Sequence, residues 1–143
     1  MKMKKLIMLL AAMLMSAAAM SAQNADAILG TFLSENGPGK IKVTKAEGKY
    51  IGTLIWTKDE GALDVKNPDK SLRNKVLAGK VILKDMTWDA SKCEWRGGTI
   101  YDPESGNTYK ATVKLKENGD LTLRGYVGAP AFGRNSFWIR IKE

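Results

Sequence analysis

No histidine occurs anywhere in the chain, and cysteine occurs once, as Cys93. Without an imidazole, nucleophilic machinery of the Ser-His-Asp and Cys-His kinds is excluded. Zinc sites built on histidine or on several cysteines fall with it. A lone cysteine cannot pair within the chain, so stability rests on a packed core and not on disulfides. The frequent role for such a residue is a small buried hydrophobe. Chemistry would have to run on carboxylates or tyrosine. A glycosidase pair could be drawn from Asp64, Asp102 and Glu104, yet Asp102 is a turn former and Asp64 sits in a polar segment. Asp59, Glu60, Asp64, Asn67 and Asp69 could offer oxygens to calcium, but their spacing does not fit an EF-hand, and helix capping accounts for them. The expectation is a protein that is not an enzyme and holds neither cofactor nor metal.

Long apolar runs are also scarce. The clearest covers residues 6–15, after Met1-Lys2-Met3-Lys4-Lys5 and before the small residues of 16–22. It is short for a membrane span and no stop-transfer pattern follows, so it reads as a secretory signal peptide cleaved between Ala19 and Ala25, near Ala22-Gln23. No cysteine follows it to accept a lipid. The organisation expected is a leader over residues 1–22 and one domain over 23–143, exported across the inner membrane to the periplasm or beyond. Losing three leader lysines leaves 20 basic and 15 acidic residues, a net charge of +5. About 120 residues suffice for one core and not for two. The lysines fall at alternate strand positions (Lys40, Lys42, Lys110, Lys114, Lys116), the pattern of a solvated sheet face, which gives little support to nucleic acid or an anionic membrane as partner.

Helical periodicity is absent from residues 23–143, and what is present is strand. Gly97-Gly98-Thr99-Ile100-Tyr101-Asp102-Pro103-Glu104-Ser105-Gly106-Asn107-Thr108-Tyr109 reads as a hairpin, its turn made by Asp102, Pro103, Ser105 and Gly106. The segment that follows, residues 109–116, alternates apolar and charged residues, as a strand with one buried face does. Pairing Tyr101 with Tyr109, or Ile100 with Ala111, are both open for this hairpin. For the next one, a three-residue loop Glu117-Asn118-Gly119 pairs Leu115 with Leu121 and Val113 with Leu123, with Gly119 in the left-handed position. Further strands are expected over residues 28–34, 40–45, 50–56, 80–88 and 136–142, and the third is apolar on both faces. A long irregular segment, residues 57–78, separates the third and fourth strands, and Asn67-Pro68-Asp69 announces a single helical turn within it. Eight hairpin-linked strands close their edges best as an antiparallel up-and-down β-barrel, wide enough for side chains or one small ligand. A β-sandwich is the rival fold.

Laid out in order, Gly30-Thr31-Phe32, Tyr50-Ile51-Gly52 with Trp56, Asp64-Val65-Lys66-Asn67-Pro68-Asp69 with Leu72-Arg73, Gly79, Trp95 with Gly97-Gly98, Ile100-Tyr101-Asp102-Pro103, Gly106 and Tyr109, Leu123-Arg124-Gly125-Tyr126 with Gly128, and Gly133-Arg134 with Trp138 and Arg140 resemble the bacterial family known as domain of unknown function 2147. The resemblance covers nearly all of residues 23–143. It implies a secreted, lipocalin-like barrel and no stated activity. Lipocalin-like chains often open with Gly-x-Trp, with an arginine of the closing strand over the indole. Here Phe32 stands where that Trp would be and Arg140 is the candidate partner, so a weaker cation–π contact is implied, closing the barrel.

The aromatic set is where a binding site would be drawn. Tyr50, Trp56, Tyr101, Tyr109, Tyr126 and Trp138, with Arg124 and Arg134 as planar cations for a carboxylate or phosphate, and Asp64 and Asn67 from the long loop, are the candidate ligand-binding residues. Core packing explains any single aromatic, and Arg124 is an outward strand residue if Leu121 and Leu123 face inward. The functional expectation is a monomeric or weakly associating module binding a small apolar or amphipathic molecule, with the long loop over one barrel end. The alternative is an envelope interaction module that docks on a protein or glycan surface through an exposed apolar patch, a choice turning on where Trp88, Trp95 and Trp138 point.

Overall fold

The structure, a computed structural model, describes residues 25–142. The leader expected over residues 1–22 lies outside the described residues. Eight antiparallel strands close into one barrel in sequence order: β1 Gly30–Ser34, β2 Gly39–Ala46, β3 Lys49–Thr57, β4 Val81–Asp89, β5 Glu94–Asp102, β6 Asn107–Leu115, β7 Leu121–Tyr126 and β8 Arg134–Arg140. The seam between β1 and β8 pairs Phe32 with Arg140 and Ser34 with Trp138. The barrel, and not the sandwich, is the fold. No described helix is long and apolar enough to cross a membrane.

Strand alternation fills the interior. Phe32, Ile41, Val43, Leu54, Leu83, Met86, Val113 and Leu121 are all almost wholly buried, each such side chain contributing about 1.5–3 kcal/mol by leaving water. In β6 the alternation is less clean than the sequence suggests, because Thr112 is buried between Ala111 and Val113 and lies opposite Arg124. The third strand is not covered on both faces: Tyr50 and Leu54 are buried, but Ile55 and Trp56 are exposed, with the Lys40 ammonium 4.9 Å from the Trp56 ring.

The β6–β7 hairpin has the expected register, Leu115 opposite Leu121 and Val113 opposite Leu123, with Gly119 at φ 94°. The β5–β6 register differs from both expected pairings: Ile100 faces Tyr109 and Tyr101 faces Thr108. Its turn is set by Asp102, whose carboxylate accepts from the Glu104 amide and the Ser105 hydroxyl while its carbonyl accepts from the Gly106 amide. The expected helical turn is a 3₁₀ turn over Lys70–Leu72, but Asp69 caps it, and Asn67 instead accepts from the Asp69 amide. A second such turn, Pro130–Phe132, lies between β7 and β8. Cys93 is exposed at φ 51° in the β4–β5 turn, so it is not the buried hydrophobe expected.

The two barrel ends differ. At one, residues 25–29 plug the interior: Ile28 is fully buried, Trp95 Nε1 donates to the Ala25 carbonyl at 2.9 Å, and the Tyr50 hydroxyl donates to Asp26. Arg140 closes that end. Its guanidinium lies 4.6 Å from the Phe32 ring and donates to the Gly119, Leu29 and Ala27 carbonyls. Gly30, at φ 144°, leaves room for it, since a Cβ there would come within 2.5 Å of Arg140 Nη1.

Candidate functional site

The opposite end is open. A cavity of about 590 Å³ enters the barrel between the loops at residues 35–38, 103–106 and 127–133, within the range of small-molecule sites. Ile41, Ile82, Ile100, Tyr109 and Leu123 contribute apolar wall, and Val127 and Phe132 stand exposed at the mouth. One row of polar groups runs along β8 and β1. Trp138 is buried and lines the cavity from β8, and the two-residue period of the strand sets Ser136 and Arg134 on the same face as Trp138, progressively closer to the mouth. Ser34, buried and paired with Trp138 across the seam, joins them.

Of the ten expected residues, Tyr101, Tyr109, Tyr126, Arg134 and Trp138 line this cavity. Tyr50 belongs to the plugged end, where burial and the Asp26 carboxylate push its phenol far up. Trp56 lies exposed beside Lys40. Arg124 is spent outside the barrel, donating to the Pro130 carbonyl at 2.5 Å, the Ala131 carbonyl at 3.4 Å and Asn135 Oδ1 at 2.7 Å, which holds the 127–133 loop against β7.

Asp64 and Asn67 form a latch and not a ligand site. Asp64 is 2% exposed, and its carboxylate accepts from the Tyr101 hydroxyl, from Asn67 Nδ2 at 2.7 Å and from the Lys80 ammonium at 3.2 Å. Burial pushes the Asp64 carboxyl up, but the bonds from Asn67, Tyr101 and Lys80 outweigh it and hold the group below the usual carboxylate range. Burial and the same carboxylate drive the Tyr101 phenol well above its ordinary value. Lys80 also lies 4.8 Å from the Tyr101 ring. Gly106 completes the clamp, because a Cβ there would meet the Lys66 carbonyl at 1.9 Å. The long loop is thus fastened to the end of β5 and the β5–β6 turn. It does not cover the mouth as expected: none of residues 57–80 lines the cavity, and the segment that does lean over it is 127–133.

Sequence reasoning missed Ser34 and Ser136. The available signal was their shared parity with Trp138 across the β1–β8 seam, which appears only once the barrel closes. Among the described residues no group of three or more acidic, cysteine or histidine side chains is placed to hold a metal ion.

Residues 30–140 match the model of a family described as an uncharacterized protein conserved in bacteria, DUF2147. No curated protein matches the chain. Among solved structures, protein HP1028 of the human pathogen Helicobacter pylori, described as belonging to the lipocalin family, superimposes with a TM-score of 0.73 at 24% identity, over 81% of this chain and 84% of that one. At that identity the likeness speaks to fold.

Proposed function

This chain belongs to the bacterial family of uncharacterized proteins DUF2147, a membership that leaves activity open, and from it we propose a binding protein that takes a small, partly apolar ligand through the open end of its barrel. The observation that carries this reading is the cavity of about 590 Å³ with an apolar wall and a polar rim, in a barrel whose other end is plugged. The likeness to a protein described as a lipocalin supports it. No catalysis is part of the proposal: the buried carboxylate of Asp64 is engaged by three donors, and that of Asp102 by its own turn. Export through the leader at residues 1–22 is, and it would put the container in the cell envelope or beyond.

The aromatic residues favour an interior site over a docking face. Trp95 and Trp138 are buried, and Trp88 is half-buried against Trp95 with ring centroids 4.6 Å apart. The outer wall exposes a short strip of Leu33, Phe137 and Ile139 on β1 and β8, with Ile55 and Trp56 of β3 and Leu115 of β6 exposed on other strands.

The test is mass spectrometry of organic-extractable material from protein purified out of its native host, beside a Ser136→Trp variant that fills the mouth. The reading expects a stoichiometric small molecule with the unmodified protein and its loss from the variant. A clean blank from both, with the variant folded, would remove the container.

A further inference from the structure

Part of the cavity's polar lining forms a row along the β1–β8 seam. Arg134, Ser136 and Trp138 are alternate residues of β8 and all line it, and Ser34 is the β1 partner of Trp138. Each brings hydrogen-bond donors: a guanidinium, two hydroxyls and an indole N–H. None of the four side chains has a hydrogen-bond or ion-pair partner among the described residues. Trp138 and Ser34 are 3% and 8% exposed, yet their donor atoms still reach the cavity: the buried unpartnered side-chain donor among the described residues is Trp88 Nε1. Arg124, by contrast, has its donors used by the 127–133 loop. Ile41, Ile82, Ile100 and Leu123 give the same cavity its apolar wall, while the tyrosines of β5, β6 and β7 and Asn36, Asn135, Asp102 and Glu104 bring further polar groups to it.

We propose that Arg134, Ser136, Trp138 and Ser34 form a donor stripe that recognises the acceptor-rich, anionic end of an amphiphile, a carboxylate or phosphate, whose apolar part lies against the isoleucine and leucine wall. This rests on the container reading and adds the chemical class of its occupant. Arg134, nearest the mouth, supplies the charge and the two-pronged geometry that planar oxyanions fit. Trp138 and Ser34 give neutral donors deeper in. Two carboxylates also line the cavity, those of Asp102 and Glu104. Asp102 keeps its charge while accepting from its own turn, so both oppose an anion, and Glu104, exposed on the turn, is the one whose carboxylate can be replaced without undoing it.

Calorimetric titration with three probes of equal chain length, decanoate, decan-1-ol and decyltrimethylammonium, reads the head-group preference. Decanoate is expected to bind about tenfold or more tighter than the alcohol, as a charge-assisted bond implies, with the ammonium weakest. Arg134→Gln should abolish most of that preference, Ser136→Ala should reduce it, and Glu104→Gln should increase decanoate affinity. Lys114→Gln, an equal charge change on the far end of β6, should leave the order intact. Replacing decanoate by decyl phosphate separates the two oxyanion sources. Equal affinity for acid and alcohol, or a preference for the ammonium, overturns the stripe and leaves the container standing; binding of none of the probes removes both.

Discussion

Tyr101→Phe isolates the latch. The substitution keeps the ring under Lys80 and deletes only the hydroxyl that donates to the buried Asp64 carboxylate. A hydrogen bond to a buried charged acceptor contributes about 1.5–3 kcal/mol. Asp64 keeps Asn67 and Lys80, so the expected loss is about 2 kcal/mol at neutral pH. For the 118 described residues, an unfolding entropy of about 2.1 cal/mol/K per residue converts this to a drop of about 8 °C in Tm. The sign of the pH dependence follows from the native carboxyl being held low. Its stabilisation is fully present above the unfolded-state pKa and disappears as pH falls through the lower folded-state value. Removing one donor raises that folded value, so the gap between wild type and variant should be full at pH 7 and shrink below about pH 4. Urea unfolding followed by tryptophan fluorescence at pH 7 and pH 3 measures both. A loss under about 0.5 kcal/mol at pH 7, or a gap of the same size at pH 3, would refute the claim that this carboxylate fastens the loop.

Further outcomes follow from the same geometry. Gly106→Ala should cost about 2 kcal/mol or more and increase protease cleavage within residues 57–80, because its Cβ would collide with the Lys66 carbonyl at a φ of 78°. Arg140→Ala should cost about 3 kcal/mol in denaturant titration, since three backbone carbonyls and the Phe32 ring lose their cation. Cys93→Gly should gain about 0.5–1 kcal/mol by relieving a left-handed residue at φ 51°. Amino-terminal sequencing of protein exported by its native host should find a start no later than Ala25, whose carbonyl receives Trp95 Nε1; a start beyond Asp26 would contradict the role of the plug.

The parts of this molecule legible in the sequence are those set by local rules. Leu115, Leu121, Val113 and Leu123 alternate around a loop whose Gly119 takes the left-handed position, so one register satisfied both faces and the structure has it. The β5–β6 hairpin lacked that constraint: tyrosines on both arms pack equally well in neighbouring registers. Upstream, Gly98 lies so close to Lys84 that a Cβ would stand 1.9 Å from its carbonyl, a tertiary approach no local pattern announces. Closure by Arg140 over Phe32 was legible through family resemblance, not through periodicity. Asp64 and Asn67 were singled out, but their partner Tyr101 is 37 residues from Asp64, and a loop that reads as a lid was in fact tied down beside the mouth. Arg124 and Arg134 look alike in the sequence. Strand parity separates them, one outside holding a loop and the other lining the cavity with its donors free.

In the proposed container, ligand enters the barrel and does not merely touch its wall. Methyl-resolved NMR of the protein titrated with decanoate tests this most directly. Entry should concentrate perturbations at Ile41, Ile82, Ile100, Leu123 and Val127, with Ile28 at the plugged end and Leu33 and Ile139 on the outer face unmoved. Shifts confined to Leu33 and Ile139, with the five cavity residues silent, would contradict it.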